Sequence, residues 1–208
     1  MSAKNAVTNT TENIQQSEAL SEAPFFDVVM RSAHNKKMGQ PLVSRVWAMP
    51  NAFTFEIEPI RDLIKKYVGD GKGWVDPFAG ENSPAEITND LNPERPSKYH
   101  LDAFEFAEQI VEPEREGILF DPPYSQQQVV EMYAGYGLRR SSSVLKEILG
   151  HKVRMGGMAI CCGWNTNGLG AVNGFRLIEL LIVPHGGERN DTLITVERKV
   201  FHQERLPL

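Results

Sequence analysis

Four aspartates stand at equivalent places in the chain, each closing a short run of apolar or β-prone residues: Trp74-Val75-Asp76, Ile87-Thr88-Asn89-Asp90, Tyr99-His100-Leu101-Asp102 and Ile118-Leu119-Phe120-Asp121. Carboxylates accept hydrogen bonds from hydroxyl, amine and backbone N–H groups and pair with cations. Two of the four open proline-stiffened turns. Asp121-Pro122-Pro123-Tyr124 places an aromatic ring behind two residues of fixed φ. Asp76-Pro77-Phe78-Ala79-Gly80 ends on a glycine, which permits close approach of backbone to a ligand. Metal chemistry has no comparable support: the five histidines (His34, His100, His151, His185, His202) lack ligand spacing. Cys161 and Cys162 are adjacent and read as alternate faces of a buried strand, so no metal site is expected.

These residues act together only if the fold gathers them. Each run is bounded by Gly or Pro or followed by a turn-like or helical stretch, which predicts strands of an α/β sheet. If the strands are parallel, all four carboxylates lie at the carboxyl edge, where open α/β sheets bind ligands. Beyond Asp121 the pattern predicts helical regions near Gln126–Tyr136 and Ser141–Gly150, then a strand at Met158–Gly163. Phe175–Val183 and Thr192–Val200 flank a Gly-Gly-containing turn and read as an antiparallel hairpin. The expected fold is therefore α/β, a mostly parallel sheet ending in an antiparallel hairpin. One connection is unusual. Only six residues, Glu81 to Glu86, separate the first glycine turn from the next strand. A parallel crossover usually needs a dozen or more, so the first helix must be very short or irregular.

Residues 1–24 contain no aromatic residue and read as a flexible tail. Residues 25–208 read as a single domain, with a basic segment and helix over 25–72 and the sheet over 73–200. With 208 residues, 27 acidic and 22 basic side chains, the formal net charge is −5. Two adjacent cysteines, no apolar run near the ~20 residues that span a bilayer, and no basic leader favour a cytoplasmic protein without a membrane partner. Total charge hides a local asymmetry. Val28–Phe55 holds Arg31, Lys36, Lys37 and Arg45 without one acid, and Arg139, Arg140, Lys146, Lys152 and Arg154 face only Glu147. The local field, not the sum, steers a polyanion.

In its Asp-Pro-Pro-Tyr tetrapeptide, placed directly after Gly117-Ile118-Leu119-Phe120, the sequence resembles the S-adenosylmethionine-dependent amino-group methyltransferases. The adenine-N6 branch is the nearest, including the small stand-alone enzymes of phages and prophages. The resemblance covers about Gly73–Gly163, with a looser fit to Lys199, and implies a Rossmann-like fold. It implies a catalytic loop of Asp121, Pro122, Pro123 and Tyr124. The Asp121 carboxylate and Pro122 carbonyl would accept from the exocyclic amine, whose lone pair is otherwise delocalised into the ring, and Tyr124 would stack on the base. The base would be flipped out or already unpaired. Asp76, Pro77, Phe78 and Gly80 match the family's first motif, with Asp76 toward the methionine end of the cofactor. Glu81-Asn82 stands where the family's second glycine would follow. Asp90 would take the ribose hydroxyls; Asp102 and Ala103 would lie beside the cofactor's adenine. Trp47–Phe55, in the stretch before the first strand, is similar to the N-terminal cofactor motif, with Thr54 and Phe55 nearest the ligand.

Motif order adds a further expectation. About forty residues separate Gly80 from Asp121, too few for a separate recognition domain. Recognition of DNA would fall to Lys36, Lys37, Arg45, Arg139 and Arg140 holding phosphates, with short or lax sequence specificity. The loop Gly163–Gly170 reads as lying near the target base or as a plain connection. Three alternatives share these features: guanine-N2 or adenine-N6 enzymes acting on RNA, glutamine-N5 enzymes acting on proteins, and a non-catalytic nucleic-acid binder of the same fold.

Overall fold

Alternation in the central strands creates two apolar layers, one on each side of a single sheet. The computed structural model describes residues 39–123 and 141–201. In order they form β1 (Leu42–Arg45), α1 (Glu58–Val68), β2 (Trp74–Asp76), β3 (Ile87–Thr88), α2 (Ala103–Glu105, running into a π-helical turn Phe106–Ile110) and β4 (Arg115–Phe120). Then come α3 (Ser142–Lys152), β5 (Val153–Gly163), β6 (Phe175–Val183) and β7 (Thr192–Lys199). In β4, Leu119 faces the α1 layer while Ile118 and Phe120 face α2 and α3. Cys162 and Cys161 divide the same way on β5. Strands covered on both faces read as continuous apolar runs, as here.

Helix α1 shows why local sequence becomes structure. Ile60, Leu63, Ile64 and Val68 recur at helical spacing and are buried, Pro59 sits in the first turn, and Gly69 ends the helix at φ 62°. Each such side chain contributes about 1.5–3 kcal/mol by leaving water. On the opposite layer, Leu145 and Leu149 of α3 pack with Phe104, Phe120 and Phe175. Ser141 caps α3 by accepting from the Ser143 N–H.

The strand order is β1-β6-β7-β5-β4-β2-β3. All neighbours are parallel except where β7 runs antiparallel to β5 and β6. This is the expected α/β class, a Rossmann-like, mostly parallel sheet with one reversed strand. Its direction of winding reverses at β2, which pairs with β3 on one side and β4 on the other. A crevice opens at such a switch point beyond the strands' carboxyl ends.

The structure departs from the sequence reading in three places. Leu42–Arg45, read only as part of a basic segment, is an edge strand parallel to β6, with Leu42 opposite Glu179 and Arg45 opposite Ile182. The strand expected at Tyr99–Asp102 shrinks to one parallel bridge between Asn89 and Tyr99. The Asn89 side chain replaces the ladder there, accepting from the Leu101 N–H at 2.9 Å and donating to the Leu101 carbonyl at 3.0 Å. β5 begins at Val153 rather than Met158, its start bent by a register shift against β4 and by Gly156 at φ +77°. Residues 77–86 contain no helix at all. Gln126–Tyr136 lies outside the described residues.

Candidate functional site

Two buried carboxylates hold the helix-free loop after β2. Asp76 is fully buried; its Oδ1 accepts the Phe78 N–H at 2.9 Å and its Oδ2 accepts the Ser83 hydroxyl at 2.6 Å. Burial pushes its carboxyl up from an ordinary 3.8 to about 7, against those two hydrogen bonds and with help from the nearby Asp121 and Asp90 carboxylates. Asp90, at the end of the next strand, accepts from Gly80 N–H at 3.0 Å and from Asn92 N–H at 2.9 Å. Asn89 completes the anchoring by donating to the Pro77 carbonyl at 3.1 Å, and its own carbonyl accepts from Ala79 N–H at 2.8 Å. Ten residues, 77–86, thus cross between two parallel strands with their turns tied back to the strand ends.

Above this loop lies a cavity of about 150 Å³. Its wall is drawn from three parts of the chain. Ala52, Phe53, Thr54 and Phe55 come from the turn before α1; Phe78, Ala79, Gly80, Glu81 and Asn82 come from the loop after β2. Asp90 and Arg95 follow β3, and Asp121, Pro122 and Pro123 follow β4. Phe78 is fixed edge-on against Phe120, with ring centres 5.5 Å apart and planes at 86°. Gly80 adopts φ +55°, and a Cβ built on it would meet nothing within 4 Å. Its glycine requirement is therefore conformational rather than steric. Three carboxylates against one guanidinium make the lining electronegative, which favours a cationic ligand carrying hydroxyl or amine donors.

The structure brings together Phe55, Phe78, Gly80, Asp90, Asp121, Pro122 and Pro123 from the sequence-derived set. Asp76 does not line the cavity; it lies beneath it, and both its oxygens serve the loop. Pro77 is buried with its carbonyl turned to Asn89. Asp102 caps α2 by accepting from the Phe104 N–H at 2.9 Å, and Ala103 packs in the α3 layer, so neither lines the cavity. Arg45 is exposed at the end of β1, on the sheet edge opposite β3. Tyr124, Lys36, Lys37, Arg139 and Arg140 lie outside the described residues. Sequence reasoning missed Phe53, Glu81 and Arg95 as lining residues, and Ser83 and Asn89 as supports. Asn89 had a legible signal, a short polar side chain directly before a strand-end aspartate. Arg95 had none, because its place depends on how the Asp90–Arg95 turn folds.

A larger open hollow of about 980 Å³ runs along β1, residues 46–51 and α1, with Trp47 and Met49 exposed on its wall. Trp47–Asn51 line it, but none of Asp76–Gly80, Asp90, Asp102 or Asp121–Pro123 does. Among the described residues no group of three or more His, Cys, Asp or Glu is placed to hold a metal ion, and no helix is long and apolar enough to cross a membrane.

No protein-family model matches the chain, and no curated protein matches it. Among solved structures it is similar to TrmN from Thermus thermophilus, at 16% identity over 69% of this chain and 49% of that one, with a TM-score of 0.47. It is also similar to the 1,6-didemethyltoxoflavin-N1-methyltransferase of Burkholderia thailandensis, which was solved with bound 1,6-didemethyltoxoflavin and S-adenosylhomocysteine. Identity there is 12% over 69% of this chain and 77% of that one, with a TM-score of 0.49. The chain spans about half the length of the first. The class is defined by strand order and site placement: a Rossmann-like α/β sheet with an acidic, aromatic-walled cavity at its switch point.

Proposed function

We propose that the protein is an S-adenosylmethionine-dependent methyltransferase that modifies the exocyclic N6 amine of adenine in DNA. One observation supports this reading above the rest. Asp121-Pro122-Pro123, at the end of central strand β4, lines the same cavity as Phe78, Gly80 and Asp90 from the two strands on its other side.

The lining suits the cofactor chemically. Asp90 offers acceptors for hydroxyl and ammonium groups, and Phe53, Phe55 and Phe78 offer aromatic faces to a cationic sulfonium and a purine. The enclosed volume, about 150 Å³, is below the roughly 300 Å³ of a typical ligand cleft, so a bound cofactor would fill it and extend beyond it. When bound, the cofactor supplies a methyl group activated on sulfur. The chain's own part is positional. The Asp121 carboxylate and Pro122 carbonyl accept from the amine hydrogens, which favours the pyramidal, nucleophilic amine. Pro122 and Pro123 hold these acceptors without reorganisation. Phe53 and Phe55 cover the cavity from the α1 side. Phosphates of the DNA would be held by Lys36, Lys37, Arg45, Arg139 and Arg140, giving affinity that falls with salt.

The test is labelled methyl transfer to unmethylated duplex DNA, single strands, RNA and protein, with nucleoside analysis of the product and calorimetric titration of S-adenosylhomocysteine. N6-methyladenine from DNA is expected, abolished by Asp121→Ala while cofactor affinity is retained. A guanine-N2 product or transfer to RNA alone replaces the substrate assignment. Activity that survives Asp121→Ala overturns the catalytic assignment, and absence of cofactor binding overturns the enzyme reading as a whole.

A further inference from the structure

The loops after β2 and β3 are joined across the cavity wall by a single ion pair. Arg95 Nη1 meets Glu81 Oε1, and both residues line the cavity, with side chains 29% and 43% exposed. Arg95 is delivered there by a folded turn. Asp90 Oδ1 accepts the Asn92 N–H, the Asn92 side chain accepts the Glu94 N–H at 2.9 Å, and the Asn92 carbonyl accepts the Arg95 N–H at 3.1 Å. The same Asp90 carboxylate holds the Gly80 N–H, one residue before Glu81. Both ends of the ion pair are therefore built out from one buried carboxylate. Where a longer parallel crossover would place a helix N-terminus with its N–H groups toward the ligand, this chain has Glu81, Asn82 and the bridge from Glu81 to Arg95. Among the described residues, Arg95 is the only basic side chain lining the cavity.

We infer that the Glu81–Arg95 pair is a strap that sets the width of the cofactor pocket in place of the absent first helix. Arg95 is then a positioning residue for cofactor binding, not for methyl transfer. The inference rests on the methyltransferase reading above. Its selectivity for binding follows from topology: the pair joins the β2 and β3 loops, whereas the acceptors Asp121 and Pro122 come from the β4 side. A partly exposed ion pair has a modest worth, equivalent to at most about a fivefold change in affinity.

The test compares wild type, Arg95→Met, Glu81→Gln and the double swap Glu81→Arg/Arg95→Glu by S-adenosylhomocysteine titration and by KM and kcat. Arg154→Met serves as control, because the Arg154–Glu116 pair is also exposed but lies outside the cavity. Each single variant is expected to weaken binding about two- to fivefold and raise the cofactor KM to match, with kcat held within about twofold. The swap should recover most of the loss, and Arg154→Met should change neither quantity. Single variants that bind like wild type, a loss that falls on kcat, or a swap that recovers nothing overturns the strap and leaves the methyltransferase reading standing. A wild type that does not bind S-adenosylhomocysteine overturns both.

Discussion

Asp76→Asn isolates one buried carboxyl and turns its environment into a measurable pH dependence. Asp76 is fully buried, and its carboxyl titrates near 7 in the fold against an ordinary 3.8. Below about pH 4 the group is protonated in both folded and unfolded chains, so it carries no penalty. Between about pH 4 and 7 the unfolded chain ionises while the folded chain keeps its proton. The folded state then binds more protons, and stability falls as pH rises. At 1.36 kcal/mol per pKa unit the full penalty is about 4 kcal/mol above pH 7, of which about 3 kcal/mol falls between pH 5 and 8. The substituted asparagine would keep the acceptor for the Phe78 N–H, and the Ser83 hydroxyl would rotate to suit the amide, but it cannot ionise. The difference in stability between variant and wild type should therefore grow with pH in favour of asparagine. Urea unfolding at pH 5, 6, 7 and 8, followed by fluorescence of buried Trp74, gives that difference directly. Taking the difference removes the contribution of carboxylates not coupled to Asp76, leaving only its coupling to the nearby Asp90 and Asp121. A difference that stays flat over this range would show Asp76 ionised like a surface acid, and the account of the loop held by a neutral carboxyl would be wrong.

Two further substitutions test the scaffold behind the site. Gly117→Ala on β4 would put a Cβ 2.6 Å from the ring of Trp74, so thermal unfolding should show a loss of about 1–3 kcal/mol from overpacking. Lys199→Met would remove the buried ammonium that donates to the Gly150 and Val153 carbonyls at 2.6 and 2.8 Å. Chemical denaturation should report a loss of about 1–3 kcal/mol, because the Gly150 carbonyl would be left with only the Val153 N–H and the Val153 carbonyl would lose the buried ammonium.

Short-range pattern was enough to place the sheet's working edge. Trp74–Asp76, Ile87–Thr88, Arg115–Phe120 and the hairpin strands are legible because each is a run of β-prone residues closed by an acid, glycine or proline. Cys161 and Cys162 divide between the two layers as alternation requires. That any helix after Gly80 must be very short or irregular was also legible, from the count of residues alone. Leu42–Arg45 was not, since a four-residue edge strand owes its existence to β6, more than 130 residues away. The Tyr99–Asp102 run carries a strand-like pattern, but Asn89 takes its hydrogen bonds with a side chain, which no local propensity reports.

The same division runs through the candidate site. The sequence alone determined that Asp76, Asp90 and Asp121 would stand at strand ends and that Asp121 would open a proline-stiffened turn, because residue type and spacing are local properties. Only the tertiary structure decided which of those carboxylates face a cavity. Asp90 and Asp121 line it, Asp76 is buried under it and Asp102 caps a helix. The physical reason is the unsatisfied backbone of a crossover without a helix. Its N–H groups need acceptors, the nearest carboxylates supply them, and the choice depends on how ten residues fold back over two strand ends.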